Sequence, residues 1–300
     1  MKRVGHLTTS GVYGSRRALL GHLGLLLLAP GVGTAAAAAQ MSGRVAAPAN
    51  GRDAAQLLDD SMRMRGSPEG APVMWVYSGV LVVKPEGQVA REVTRIEGLS
   101  FTHLTARDDG AWDLQLEEVG YFCDLVTGEV LETLVNPFTG KQVHPRHYRS
   151  PQQLRFAGTG VQPAMQLPPG IEFRGAVTRL AQVGDVVATT EDLYVKLPGR
   201  PATEDSQAQP ERISTSLATF ISAASDLQRP DSAWVDCTFS YTTLNSFVGW
   251  LEMSAMPGVQ NMRLIGAKCR TDERNAVPAA LRARIADDHP DFLGKWTQWE

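Results

Sequence analysis

Residues 73–123 read VMWVYSGVLVVKPEGQVAREVTRIEGLSFTHLTARDDGAWDLQLEEVGYFC, and three strands are written in them. Val73–Val83 is rich in Trp, Tyr and Val, the β-branched and aromatic types that suit a pleated, half-buried surface. Pro85-Glu86-Gly87 is a turn, and residues 89–105 form a second strand bent at Gly98. Asp108-Asp109-Gly110 is a tight hairpin signal, and residues 111–123 return from it. Turns this short join antiparallel strands, because a parallel pair needs a crossover of a dozen residues or more.

The same rhythm continues downstream. Asp124-Leu125-Val126-Thr127-Gly128 ends one strand, Glu129–Val135 is strand-like, Asn136-Pro137-Phe138-Thr139-Gly140 is the next turn, and Lys141–Tyr148 continues. The two Thr-Gly pairs lie twelve residues apart, the spacing of a β-meander. Pro145 belongs at an edge or bulge, since it cannot donate to a ladder. The Gly- and Pro-rich residues 157–170 read as an irregular loop. Ile171–Leu180 and Val186–Leu197 form a hairpin around Gly184-Asp185, and the polar residues 198–211 a solvated loop. Ile213–Ile221 and Trp234–Tyr241 suit a further pair of strands, and Met262–Arg270 a last one. Three segments have helical spacing. Asp53–Arg65 lines Ala54, Leu57, Leu58 and Met62 on one face, with Gly66 as its stop. Leu244–Met256 puts Phe247, Val248 and Leu251 on one side before Pro257-Gly258, and Val277–Ala286 carries Pro278 in its first turn.

About ten strands and three helices make this a mainly β chain, a β-rich α+β protein. An antiparallel sheet of that size curls or closes, which removes its exposed edges. The expected architecture is an antiparallel calycin- or lipocalin-like β-barrel with a few peripheral helices. A two-sheet β-sandwich is the alternative.

Upstream lies a different kind of sequence. Residues 1–39 hold Lys2 and Arg3, then Arg16-Arg17, an apolar run Leu19–Ala29, and Ala35–Ala39. A basic start, a short greasy middle and a small-residue end form a secretory leader, and the paired arginines give it the twin-arginine type. The greasy run is shorter than the roughly 20 residues of a membrane span. Leu25–Leu28 is apolar enough for the general secretion route as well. The expected division is a leader at 1–39, a flexible lead-in at 40–52 and one domain at 53–300. Export machinery is then a partner, the mature protein works in the periplasm or outside the cell, and no stable membrane span remains after cleavage. Removing the four basic residues of the leader leaves 25 of the chain's 29 basic side chains against 32 acidic ones, net −7. Nucleic acid wants a basic patch, so it is excluded as a partner.

Cys123, Cys237 and Cys269 stand in apolar or strand-like contexts and read as small buried hydrophobes, with Cys237–Cys269 as the pair if one disulfide forms in the exported protein. His144 and His147 make H-x-x-H, but strand spacing sends the two rings to opposite faces and no carboxylate stands at a supporting distance, so no metal site is expected. His147, Tyr121 and Asp124 are the candidate acid–base residues, His147 because its ordinary pKa lies near neutrality. Asp124 and Asn136 also open turns, where their side chains bond the backbone two residues on. Among the aromatics that punctuate the strands, Trp75, Trp112, Tyr241 and Trp250 are candidate ligand-binding residues, with Glu252 as a polar tip. The carboxylate pairs Glu117-Glu118 and Asp287-Asp288 read as solvated surface. There is no G-x-S-x-G, no P-loop, no G-x-G-x-x-G after a strand, no H-E-x-x-H and no C-x-x-C-H, hence no signature for a bound cofactor.

Several of these segments form one pattern. Arg63-Met64-Arg65-Gly66-Ser67 with Trp75 and Gly79, Gly120-Tyr121 with Asp124 and Thr127-Gly128-Glu129-Val130-Leu131, Asn136-Pro137 with Thr139-Gly140, and Trp250-Leu251-Glu252-Met253 before Pro257-Gly258 resemble the DUF1838 family of bacterial and fungal proteins. The resemblance spans roughly 53–295. It implies no reaction and no site residues, because the family is named for an unknown function. From the residues themselves, the expected activity is binding of a small, largely apolar molecule in a barrel pocket by an exported protein. The alternative is a metal-independent lyase, isomerase or hydrolase on a small hydrophobic substrate.

Overall fold

A computed structural model describes residues 51–179, 182–199, 211–229 and 234–297. The leader, nearly all of the lead-in and most of the polar loop at 198–211 lie outside the described residues. Helix α1 (Gly51–Arg65) precedes strands β1 (Val73–Pro85), β2 (Arg91–Ala106) and β3 (Trp112–Cys123). Short strands β4 (Leu134–Val135) and β5 (Gln142–Val143) follow, then β6 (Tyr148–Ala157), β7 (Gly160–Pro163), β8 (Glu172–Arg179), β9 (Val186–Leu197) and β10 (Arg212–Ala223). The single turn α2 (Ala224–Leu227), β11 (Thr238–Asn245), β12 (Gly258–Arg270), α3 (Ala279–Asp288) and α4 (Pro290–Trp296) complete the order.

Ten strands close into a barrel in the order β1-β12-β11-β10-β9-β8-β7-β6-β3-β2. Every pair is antiparallel, and strands next to each other in the ring are consecutive in the chain except at β3–β6, where β4 and β5 loop out as a separate two-stranded sheet, and at the β1–β12 closure. The ring is sealed along the whole of β1, from Val73 opposite Arg270 to Pro85 opposite Gly258. The barrel is thus the architecture that the run of short turns predicts.

Side chains alternate between lumen and exterior along each strand. On β1 to β3 both sets are buried, because α3 and α4 cover the outside. Met74, Leu99, Phe101, Val119 and Tyr121 pack there against Val277, Leu281, Ile285 and Phe292. One end of the lumen is plugged by α1, whose Leu57, Leu58 and Met62 pack on Leu104, Leu114, Leu154 and Phe156. Lys268 Nζ reaches the end of that helix and donates to the carbonyls of Arg63 (2.8 Å) and Gly66 (2.7 Å), so a cation sits at the negative helix terminus.

The other end is filled by Phe247–Met253, and here the structure corrects the expected helix. Only Gly249–Leu251 makes a single 3-10 turn, and Leu244 belongs to β11. Phe247, Val248, Trp250, Leu251 and Met253 are all buried, with Glu252 the exposed residue among them, so burial of nearly the whole segment overrides helical spacing. Two further corrections concern strands. β6 occupies 148–157 despite Pro151, and β7 lies in the region read as irregular loop. The strand-like stretches either side of Asn136 shrink to β4 and β5 outside the barrel. What the twelve-residue rhythm encodes is a repeated turn. Asp124 Oδ1 accepts from the Val126 and Thr127 amides, both at 2.8 Å, and Asn136 Oδ1 from those of Phe138 (2.9 Å) and Thr139 (3.3 Å). Asn136 Nδ2 also donates to the Leu251 carbonyl at 2.7 Å, tying the second turn to the plug. All three cysteines are buried and free.

One cross-strand row explains two glycines. Tyr77, Gly98, Gly120 and Tyr148 stand opposite one another on β1, β2, β3 and β6. The tyrosine rings lie over the glycines, and their hydroxyls meet at 3.1 Å. A Cβ on Gly120 would fall 2.1 Å from the Tyr148 ring. Gly120→Ala is therefore expected to cost about 1–3 kcal/mol by overpacking. Urea denaturation of the variant checks this, and the same change in a Tyr148→Ala background should cost much less.

Candidate functional site

The lumen between the two plugs contains a cavity of about 110 Å³. One wall is a row running Trp75, Ser100, Glu118 and Ser150 across β1, β2, β3 and β6. Facing it are Glu191 and Leu193 of β9, Ser216, Ala218 and Phe220 of β10, and Phe239 and Tyr241 of β11. The aromatic rings meet edge-on, with Trp75 centred 5.7 Å from Phe220 and 5.3 Å from Phe239. Trp75 is held in place by its indole N–H, which donates to the Arg65 carbonyl at 3.1 Å.

Two carboxyls enter this space, and their surroundings differ. Glu191 is paired with the Arg65 guanidinium, which also lies over the rings of Phe220 (4.3 Å) and Phe156 (5.0 Å). Burial pushes the Glu191 carboxyl upward and the Arg65 charge draws it back. Glu118 faces no cation of that kind. Among the described residues it accepts one long hydrogen bond, 3.5 Å from Gln152 Nε2, and the Tyr77 hydroxyl is a further polar neighbour. Burial pushes its carboxyl up to about 8, with the Tyr77 hydroxyl opposing. The Tyr77 and Tyr148 hydroxyls are shifted well upward by burial and stay protonated. Ser150 Oγ, opposite Glu118, is buried with no hydrogen-bond partner among the described residues.

Of the candidate ligand-binding residues, Trp75 and Tyr241 line the cavity. Trp112 stands at the start of β3, half-buried against the α1 plug. Trp250 is part of the other plug, its ring 5.0 Å from that of Phe122, and its indole N–H has no partner among the described residues. Glu252 is exposed, adopts a left-handed conformation (φ 53°) and pairs with Lys141 at 3.7 Å.

The three acid–base candidates do not meet at the cavity. His147 and Tyr121 are neighbours, with ring centroids 5.1 Å apart, where β3 runs beyond β6. The imidazole Nδ1 accepts the Phe122 amide at 3.2 Å, a donor that β6 leaves unmatched because it starts opposite Gly120. That bond puts the ring proton on Nε2, which is buried without a partner among the described residues, and burial lowers the His147 pKa. Tyr121 packs under α3, near Arg284 and Asp288, and burial raises its pKa. Asp124 lies on an exposed turn, and the two amides it accepts lower its pKa. His144 is exposed, with Nδ1 3.1 Å from the Glu132 carbonyl.

The residues that give the lumen its chemistry were absent from the sequence-based candidates, and Glu117-Glu118 is a correction. Neither is solvated. Glu118 faces the lumen, and Glu117 is buried on the outer face, paired with Arg149 and Lys295. The signal was period two: Leu114 and Leu116 face inward, so 118 shares their side. Among the described residues no group of three His, Cys, Asp or Glu side chains is arranged to hold a metal, and no helix is long and apolar enough to cross a membrane.

Comparison with known proteins gives one match. The model of the family described as "Protein of unknown function (DUF1838)" covers residues 70–300. No curated protein and no solved structure matches significantly.

Proposed function

The chain belongs to the DUF1838 family, and we propose that this member is an exported protein that binds a small, largely apolar molecule in the lumen of its barrel. The observation that carries this reading is the cavity left in the lumen between two plugs. A lumen that served stability alone would be filled, as small barrels fill theirs with side chains. Here Ser100, Ser216 and Ala218 are small where rings or branched chains would close the gap. Size limits the guest. An apolar cavity of about 150 Å³ admits benzene, and pockets for drug-sized molecules run to about 300–1,000 Å³. At about 110 Å³ this lumen suits a molecule of a few heavy atoms. The walls of Trp75, Phe239, Leu193 and Leu264 favour an apolar body.

The test is native mass spectrometry of protein purified from its natural compartment, with benzene and short alcohols as added probes. The expected result is a small adduct, or probe binding that quenches Trp75 fluorescence and disappears in Ala218→Met, which fills the cavity. A bare mass together with no probe binding would refute the proposal. Export rests on the leader. Residues 1–40 fused to a reporter that crosses only when folded should carry it out of the cytoplasm, and Arg16→Lys/Arg17→Lys should retain it. A reporter left inside by the unaltered leader would remove the twin-arginine assignment.

A further inference from the structure

We propose that the lumen ligand is a small organic ammonium, its charged head on Glu118 and its apolar body against the aromatic wall. This rests on the reading of the lumen as a binding site and names its ligand class.

Charge balance is the first argument. Among the described residues that line the cavity there are two carboxyls, Glu118 and Glu191, and one cation, Arg65. Arg65 belongs to Glu191. Lys268 turns to carbonyls at the α1 end. Glu118 is left without a counter-charge of its own, and because a buried carboxylate without one is costly, a cationic guest is what would let it ionise.

The second argument is the kind of polar group around Glu118. Its cross-strand neighbours are Ser100 and Ser150, and the hydroxyls of Tyr77, Tyr148 and Tyr241 lie nearby. These hydroxyls accept hydrogen bonds as well as donate them, and among the described residues Ser150 Oγ has no partner. An ammonium brings three donors and no acceptor. An anion would find the Glu118 carboxyl opposing it, and a ketone or ester could accept from the hydroxyls but would bring no donor to that carboxyl.

The third argument is that the lumen already binds one cation in this way. The Arg65 guanidinium sits on a carboxylate and over two aromatic faces. Glu118 lines the same cavity as Trp75, Tyr77 and Tyr241, a carboxyl and aromatic rings together, and aromatic faces attract organic cations.

Binding also has a proton signature. The groups facing Glu118 are Tyr77 from β1, Tyr148 from β6 and Tyr241 from β11, whose hydroxyls burial shifts upward, and the Glu191–Arg65 pair from β9 and α1, in which burial raises the carboxyl and the Arg65 charge draws it back. The Glu118 carboxyl of the empty lumen is largely protonated at pH 7. An ammonium that binds as an ion pair keeps its own protons and displaces that one to solvent.

The experiment is titration calorimetry of the full chain with n-butylammonium, 1-butanol and butyrate at equal ionic strength. Wild type is expected to bind n-butylammonium at least about tenfold more tightly than 1-butanol, with butyrate weakest. Glu118→Gln should bring n-butylammonium to the level of 1-butanol, and Glu118→Asp should keep part of the preference. In two buffers of different ionisation enthalpy at pH 7, wild type should release close to one proton per n-butylammonium and none per 1-butanol. This last measurement needs no variant, so it stands even if Glu118→Gln folds poorly. Binding of 1-butanol that is lost in Ala218→Met, without ammonium preference or proton release, overturns the ligand class and leaves the lumen reading intact. No binding of any probe overturns both. An ammonium preference that survives in folded Glu118→Gln overturns the assignment to Glu118.

Discussion

Glu118→Gln will make the protein more stable than wild type at pH 9 and will leave it nearly unchanged at pH 4. The reason is linkage. In the unfolded chain the carboxyl titrates at its ordinary 4.5, whereas burial in the lumen moves it to about 8. Below 4.5 both states are protonated and nothing is lost. As the pH rises from 4.5 to 8 the unfolded chain gains the free energy of ionisation and the folded one does not, so folding weakens through that window and levels off above it. Each unit of difference is worth about 1.4 kcal/mol, so the loss by pH 9 is on the order of 3–5 kcal/mol. Glutamine is nearly isosteric, never ionises and avoids the loss. Lys268, drawn down to about 8 by burial, titrates in the same range but does so in both proteins, so the difference between them isolates Glu118. Urea denaturation at pH 4, 6.5 and 9 checks the result. A difference between the two proteins that stays constant with pH would show that Glu118 does not titrate in the lumen.

The opposite sign is expected for Arg65→Met. The guanidinium is buried, pairs with Glu191 and fills the space over Phe220 and Phe156. Its removal leaves a buried carboxylate with no counter-charge, a loss of about 3–5 kcal/mol. Such a pair costs much to desolvate, so the damage lies in the orphaned partner rather than in the attraction that is given up. It follows that Arg65→Met/Glu191→Met should recover most of the stability, although it carries two changes. Denaturation midpoints of the single and double variants decide the matter. If the double variant is as weak as the single one, the pair itself contributes and the orphaned charge is not the cause.

What could be read from the sequence depended on which force set each segment. Strands β1 to β3 and β9 were legible because β-branched and aromatic residues are dense there and Gly or Pro marks each turn. β6 was hidden because its outward residues, Arg149, Pro151, Gln153 and Arg155, face solvent or ion-pair partners and dilute the apolar signal. The Phe247–Met253 plug looks helical because apolar residues spaced by three or four suit a helix face, and local spacing does not reveal that Phe247, Val248, Trp250, Leu251 and Met253 are all buried together. The acid–base candidates were chosen by chemical type, and Asp124 shows the weakness of that. Its carboxylate is committed to two backbone amides, a role that the turn sequence itself announces. Glu118 was lost to the rule that carboxylates face water. Its neighbours at two-residue spacing pointed inward, but only a closed barrel turns that face into a polar layer between two apolar plugs.

The seam between β1 and β12 has a consequence for biogenesis. β1 ends at Pro85 and its partner is complete only at Arg270, so the first strand to leave the ribosome waits for the last. At about 5–20 residues per second, synthesis of the intervening chain takes roughly ten to forty seconds. Throughout that interval the nascent protein holds β1 paired on one side only, with its other row of amides and carbonyls open to any passing strand. A ring of this kind is finished by its final strand or not at all, so the barrel cannot close before β12 has been made.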